Sequence, residues 1–373
     1  MTAADPRTMG KRIAGARERS GLTQAELASA VFLDRSALTK IENGTRRVSA
    51  IELARIADTL GERIEWFVTD PPTAIVSHRN LWEPGATSPA IDRMVDRVAR
   101  NVEFAIQHDD RWSLDTPPQL WRPKTSGETE RCASQVRLLL GLDDTESFLD
   151  TSIRVGRLGL LAFAFDLGPE AADAASILLA HGGVAVVNGH LRVGRRRLAL
   201  AHELGHYLFA DAYTVDWRIA EQDDGNTWET RLDQFARAVL LPAAGLRQMW
   251  TDLRGHGDDL RAAAVRVASA FRVDMSTLAR RLLDLGQIEQ DEAHRIRSVR
   301  TTRADIVEFN LLVHDELVAP SLARQYEESV LRLYRGETVS PARAIDLLFE
   351  VWDEEDLPAL PQLPESAIWK FVS

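Results

Sequence analysis

Arg195-Arg196-Arg197-Leu198-Ala199-Leu200-Ala201-His202-Glu203-Leu204-Gly205-His206-Tyr207-Leu208 is the stretch on which the fold and chemistry of this 373-residue chain turn. It holds no proline and is rich in leucine and alanine, so a helix is predicted from about Gly194 to Ala210. His202 and His206 stand four residues apart and share one helical face. Both imidazoles can then meet one tetrahedral cation at about 2.0–2.1 Å. Glu203 points to the side where a water held by that ion would sit. A carboxylate there can take the water's proton during attack on a carbonyl and pass it to the leaving amine. Chance would place this spacing in about one chain in a hundred of similar length. However, Leu198, Leu200, Ala201, Leu204, Leu208 and Phe209 make the helix a buried one, where two histidines need a partner. The three arginines read as a solvated helix start or as salt-bridge donors rather than as a nucleic-acid patch.

A catalytic zinc needs a third protein ligand and an open position. A histidine six residues after His206 would supply it, but Ala212 stands there and Phe209 replaces the glycine that pattern requires. Asp211 lies at a poor angle. The better source is the segment Trp228 to Leu241, where Glu229 and Asp233 are one helical turn apart. Glu229 can complete the coordination while Asp233 accepts a hydrogen bond from a ligating histidine. The arginine-led stretch above, followed by Glu229-Thr230-Arg231-Leu232-Asp233-Gln234-Phe235-Ala236 and ending at Pro242, resembles the ImmA/IrrE metallopeptidase family over about residues 155–290. The resemblance implies Zn2+ held by His202, His206 and Glu229, with Glu203 as general base. One departure is visible: the family usually has alanine then asparagine where this chain has Leu232-Asp233. Tyr207, Tyr213, His181 and His190 are nearby polar groups, and none is identified as a transition-state donor.

The composition is that of a soluble globular protein, 45% hydrophobic and 27% charged. No apolar run approaches the ~20 residues needed to span a bilayer. Met1 to Met9 lacks the apolar stretch of a secretion signal. The single cysteine, Cys132, cannot form an intrachain disulfide and reads as a small buried apolar residue, which fits a reducing cytoplasm. The formal charge of −11 is unevenly spread. Residues 1–70 hold 11 Lys+Arg against 10 Asp+Glu, whereas the remainder holds 34 against 46. Any contact with a polyanion is therefore expected in the first 70 residues.

Those residues carry four short helical patterns. Thr23-Gln24-Ala25-Glu26 and Ser49-Ala50-Ile51-Glu52 are capping boxes that open the second and fourth. The third runs near Arg35 to Asn43 and stops at Gly44. Two short helices joined by a tight turn form a helix-turn-helix, whose later helix enters the major groove. Arg35, Ser36, Thr39 and Lys40 are its outward residues. Gln24, at a helix N-terminus, and Thr45, Arg46 and Arg47, in the following loop, suit phosphates. Thr23 to Ala28 followed by Ser36 to Gly44 resembles the Cro/cI (XRE) repressors over residues 9–68, which implies a homodimer on an operator in double-stranded DNA.

The prolines at 71, 72, 84 and 89 mark residues 71–90 as a linker. Helices are expected at 91–107 and 134–140, with buried strands at Leu158–Phe165 and Gly183–Asn188. Residues 261–270 and 274–282 resemble a second helix-turn-helix, expected to pack on the core. Residues 291–373 read as a helical C-terminal region, with helices around 306–317, 322–334 and 342–352 and a loosely held tail. The fold class expected is mainly α, α+β: a helix-turn-helix bundle (1–70), a zincin-like domain with a small sheet (91–290), and that C-terminal region.

Two functions compete. One is a DNA-bound zinc endopeptidase that cleaves a repressor or similar partner protein, in stress, mobile-element or toxin–antitoxin control. The other is a non-catalytic repressor or antitoxin that uses the same fold as a sensing or binding platform. The intact Glu203 favours the first, since a scaffold needs no general base.

Overall fold

A computed structural model describes residues 5–60, 64–68, 76–79, 88–116, 118, 120–209 and 225–360. The chain divides into two compact units, Met1–Ala74 and Ile75–Ser373.

The first unit is a bundle of helices α1 (Pro6–Arg19), α2 (Gln24–Ala30), α3 (Arg35–Glu42), α4 (Ala50–Leu60) and the short α5 (Ile64–Val68). Both predicted capping boxes form: Thr23 and Glu26 bond reciprocally across the start of α2, and Ser49 and Glu52 do the same for α4. The turn between α2 and α3 takes a left-handed φ of 59° at Phe32, a costly conformation for a bulky residue. Ile13, Leu27, Leu38, Ile56 and Phe67 are fully buried between the helices. Arg17 on α1 makes a bidentate ion pair with Glu42 on α3, at 2.7 and 3.2 Å, and also donates to the Leu22 carbonyl. With every charged atom so placed, the buried pair is tolerated and fixes how α1 meets α3.

The second unit is built around a four-stranded sheet of order β1-β3-β4-β2: β1 (Val76–Arg79), β2 (Leu160–Phe165), β3 (Ala174–Leu178) and β4 (Gly183–Asn188). β4 runs parallel to β2 and antiparallel to β3, which in turn pairs antiparallel with β1. Helix α6 (Pro89–His108) lies against β3 and β4, α7 (Ser126–Leu139) and α8 (Thr151–Gly156) follow it in the chain, and α9 (Val193–Phe209) packs on one face of the sheet. Every residue of β2 and β4 is therefore buried, as expected of strands covered on both sides. The face toward α9 carries Leu160, Ala162, Ala164, Ala174, Ala185 and Val187. Its alanines let the helix approach closely. On the opposite face Phe163 and Phe165 meet Phe349, and Phe163 stacks edge-on against Tyr326.

Several expectations change. The stretch 71–90, read as a linker from its prolines, contributes edge strand β1, a four-residue segment lying between Pro72 and Pro84. β3 was not anticipated at all. The helix expected at 306–317 covers only Arg303–Glu308, because Asn310 turns the chain with a φ of 49°. Residues 291–360 do not stand apart. Ala293 and Ile296 enter the same core as helix α9, and Ser321 bridges to Ala164 of β2. The acidic 353–356 segment forms a capped 3-10 turn; the rest of the expected tail, 361–373, lies outside the described residues, as do Asp211, Ala212 and Tyr213. The second helix-turn-helix-like pair, Leu260–Phe271 and Met275–Asp284, packs into the core through Val267, Phe271, Leu278 and Leu282.

Candidate metal centre and nucleic-acid interface

Helix α9 presents His202 and His206 to α10 (Gly225–Leu240), which carries Glu229 and Asp233. The two helices come close because residue 205 is glycine. A Cβ there would meet Leu232 Cδ2 at 2.8 Å and Phe235 Cδ1 at 3.1 Å. The far end of α10 is held by two buried guanidinium groups: Arg137 donates to the Val239 carbonyl at 2.7 Å and Arg281 to the Leu241 carbonyl at 2.9 Å. These carbonyls have no partner within the helix, and cations suit that end.

The near end converges on one point. His202 Nε2 lies 3.1 Å from His206 Nε2 and 3.2 Å from Glu229 Oε2, and His206 Nε2 lies 3.6 Å from Glu229 Oε1. Donors placed about 2.0–2.1 Å from a tetrahedral zinc are about 3.3–3.4 Å apart, so this spacing fits the ion. On its other side His202 Nδ1 lies 2.9 Å from Asp233 Oδ1. A carboxylate can only accept, so Nδ1 holds the proton and Nε2 keeps its lone pair for a ligand role. Burial works against ionisation of Glu229, yet the imidazoles of His202 and His206 outweigh it and hold the carboxyl well below its ordinary value. His202 is buried, while 44% of the Glu229 side chain is exposed.

Glu203 is fully buried. Its Oε2 accepts a 2.5 Å hydrogen bond from the Ser176 hydroxyl on β3, and its Oε1 has no hydrogen-bond partner among the described residues. A buried carboxylate oxygen left unpaired is costly, and is the feature expected of a group kept for a proton. Ser176 escaped the sequence reading because β3 did. The available signal was a pair of apolar runs around His181-Gly182-Gly183, the pattern of a hairpin.

Tyr207 does not serve the cluster. Its hydroxyl donates to the Leu158 carbonyl at 2.8 Å inside the core, and burial pushes its pKa up. His181 and His190 are exposed. The three arginines of the metal helix are salt-bridge donors throughout: Arg195 to Asp173, Arg196 to Asp315 and Arg197 to Glu316.

In the first unit, Arg35, Ser36 and Lys40 are exposed on α3, and Arg47 is exposed in the following loop. Other residues expected to face DNA make internal bonds. Gln24 donates to Glu42 Oε2 at 2.7 Å and faces the Thr39 hydroxyl at 3.1 Å. Thr45 donates to the Lys40 carbonyl, and Arg46 pairs with Glu52 at 2.6 Å. These contacts shape the α2–α3 pair and the loop that follows it.

Comparison with known proteins gives two family matches: "Helix-turn-helix" over residues 13–67 and "IrrE N-terminal-like domain" over residues 155–283. Among solved structures, the restriction-modification controller protein C.AhdI from Aeromonas hydrophila is 32% identical, matching 17% of this chain and 96% of its own, with a TM-score of 0.17. PlcR from Bacillus thuringiensis, solved with the peptide PapR7 and DNA, is 12% identical over 92% of each chain, with a TM-score of 0.18. ComR from Streptococcus suis is 11% identical, matching 91% of this chain and 98% of its own, with a TM-score of 0.17. No curated protein matches the chain. Among the described residues no helix is long and apolar enough to cross a membrane.

Proposed function

The chain belongs to the XRE-type helix-turn-helix proteins and joins that domain to an ImmA/IrrE-like one, and we infer that it is a DNA-binding regulator whose second unit is a zinc endopeptidase. His202, His206 and Glu229 would hold the ion. It would supply Lewis acidity, polarising a peptide carbonyl and making water acidic enough to attack. The observation that carries the reading is a set of three donors at zinc spacing, the first of which, His202, is followed in the chain by Glu203 with its buried, unpaired Oε1.

The chain's own residues account for the rest. Asp233 fixes the tautomer and ring direction of His202. Glu203 Oε1 accepts a proton from the attacking water as the new C–O bond forms. It then returns that proton to the amide nitrogen as the C–N bond breaks. The substrate would enter from the side on which the Glu229 side chain is exposed. The substrate class we infer is a repressor or similar partner protein, brought near by operator binding through Arg35, Ser36, Lys40 and Arg47. The protein would then be cytoplasmic and dimeric on double-stranded DNA, in stress, mobile-element or toxin–antitoxin control.

The test compares wild type with Glu203→Gln for bound zinc, operator repression and cleavage of the proteins encoded beside its own gene. The variant is expected to keep zinc and repression and to lose cleavage. Equal repression with no cleavage by either form would favour a regulator that uses the fold only to bind a partner. A chain unable to take up zinc would remove the peptidase reading altogether.

A further inference from the structure

The Ser176 hydroxyl and the Glu203 carboxylate meet across the interface of α9 with the sheet, where the neighbouring core residues of β2, β3 and β4 are apolar. Ser176 is 6% exposed and Glu203 fully buried, with 2.5 Å between Oγ and Oε2. The strand residues of β2, β3 and β4 in the core shared with α9 are leucine, valine and alanine. A hydroxyl at this place therefore has no packing role that alanine would not fill. In register, Ser176 pairs with Ala185 on β4, a small neighbour that leaves room for its side chain to rise toward the helix. Glu203 has three rotatable side-chain bonds, and nothing else among the described residues hydrogen-bonds its carboxylate.

We propose that Ser176 is a positioning residue for Glu203. By donating a hydrogen bond to Oε2 it locks the carboxylate plane and leaves Oε1 as the free proton acceptor. Ser176 touches no reacting atom and exchanges no proton. It donates one hydrogen bond through the cycle while Oε1 takes up and releases the water's proton. The role rests on the peptidase reading. Its consequence is a dependence of rate on the geometry of one bond: catalytic groups must be held within about 0.5 Å of the productive place, and a displacement of about 1 Å can cost on the order of 100-fold.

The experiment uses the full chain and the variants Ser176→Ala and Ser176→Thr. Ser176→Ala is expected to bind zinc and DNA as wild type does, to lower kcat about 10- to 100-fold, and to leave KM near its wild-type value. Ser176→Thr restores the hydroxyl and is expected to recover most of the rate. Crystal structures of the metal-free wild type and Ser176→Ala give a readout independent of turnover: the Glu203 carboxylate should move by more than about 0.5 Å in the variant. A carboxylate that stays in place, or a Ser176→Ala rate equal to wild type, would overturn the proposal. If wild type itself cleaves nothing, the peptidase reading fails, while the two crystal structures still decide whether Ser176 holds Glu203.

Discussion

The imidazole of His202 has a carboxylate on each side, its Nδ1 2.9 Å from Asp233 Oδ1 and its Nε2 3.2 Å from Glu229 Oε2. One helix thus supplies both carboxylates that meet this ring, four residues apart: on the proposed reading Asp233 orients it and Glu229 shares its ion. Removing the orienting group alone should weaken the ion's hold without abolishing it. Asp233→Ala is expected to lower zinc affinity about 10- to 100-fold, measured by competition with a chelator. An unchanged affinity would show that Asp233 does not fix the ring.

Close approach of α9 and α10 depends on the missing side chain at position 205. Gly205→Ala puts a Cβ 2.8 Å from Leu232 Cδ2, so the helices must separate or the leucine must turn. Overpacking of this kind costs about 1–3 kcal/mol. We expect a lower melting temperature for the second unit and weaker zinc uptake, with operator affinity untouched. Calorimetry with and without zinc checks both.

Glu316 lies between two arginines, paired with Arg197 at 2.7 Å and in contact with Arg272. Arg197 is fully buried. Glu316→Gln leaves both cations without their countercharge and should destabilise the second unit by about 3–5 kcal/mol. Burial raises the Glu316 pKa, but the Arg197 charge, the Thr151 hydrogen bonds and Arg272 lower it further, so the net shift is downward from 4.5. A carboxyl with a depressed folded pKa contributes stability that is fully present above the ordinary value and is lost as pH falls through the folded one. Urea midpoints should therefore fall on acidification below 4.5 in the wild type and follow a shallower limb in the variant. Parallel limbs would assign the acid sensitivity to other carboxylates.

Arg47 and Arg35 differ in what they would contact on DNA. A loop arginine on phosphate contributes charge without sequence information, whereas one at the start of α3 reaches base edges. Arg47→Ala should weaken binding to all sequences alike and reduce the slope of log affinity against log salt by about 1. Arg35→Ala should cost about 1–3 kcal/mol on the preferred operator and relax the choice of base. Titrations at several salt concentrations on specific and scrambled duplexes separate the two.

What could be read in advance was local. A four-residue spacing places His202 and His206 on one face wherever a helix forms, and the same holds for Glu229 and Asp233 on α10. The capping boxes at Thr23 and Ser49 were legible because donor and acceptor lie three residues apart. Ser176 was not. Its partner is 27 residues away, and Ala174-Ala175-Ser176-Ile177-Leu178 is too rich in small residues to announce a strand. The β1 strand and α5 helix, four and five residues long, are too short to show a period. Gln24 and Arg46 were assigned to phosphates by residue type, whereas tertiary neighbours occupy their side chains.

The arginine triplet near the start of α9 is neutralised from afar, two of its three partners being Asp315 and Glu316. A clone trimmed to the 155–283 homology block would therefore strand Arg196 and Arg197, both interior, without their anions. Such a fragment should express as insoluble material. Any minimal fragment of this unit made for assay has to extend past residue 321, where the returning chain closes against β2.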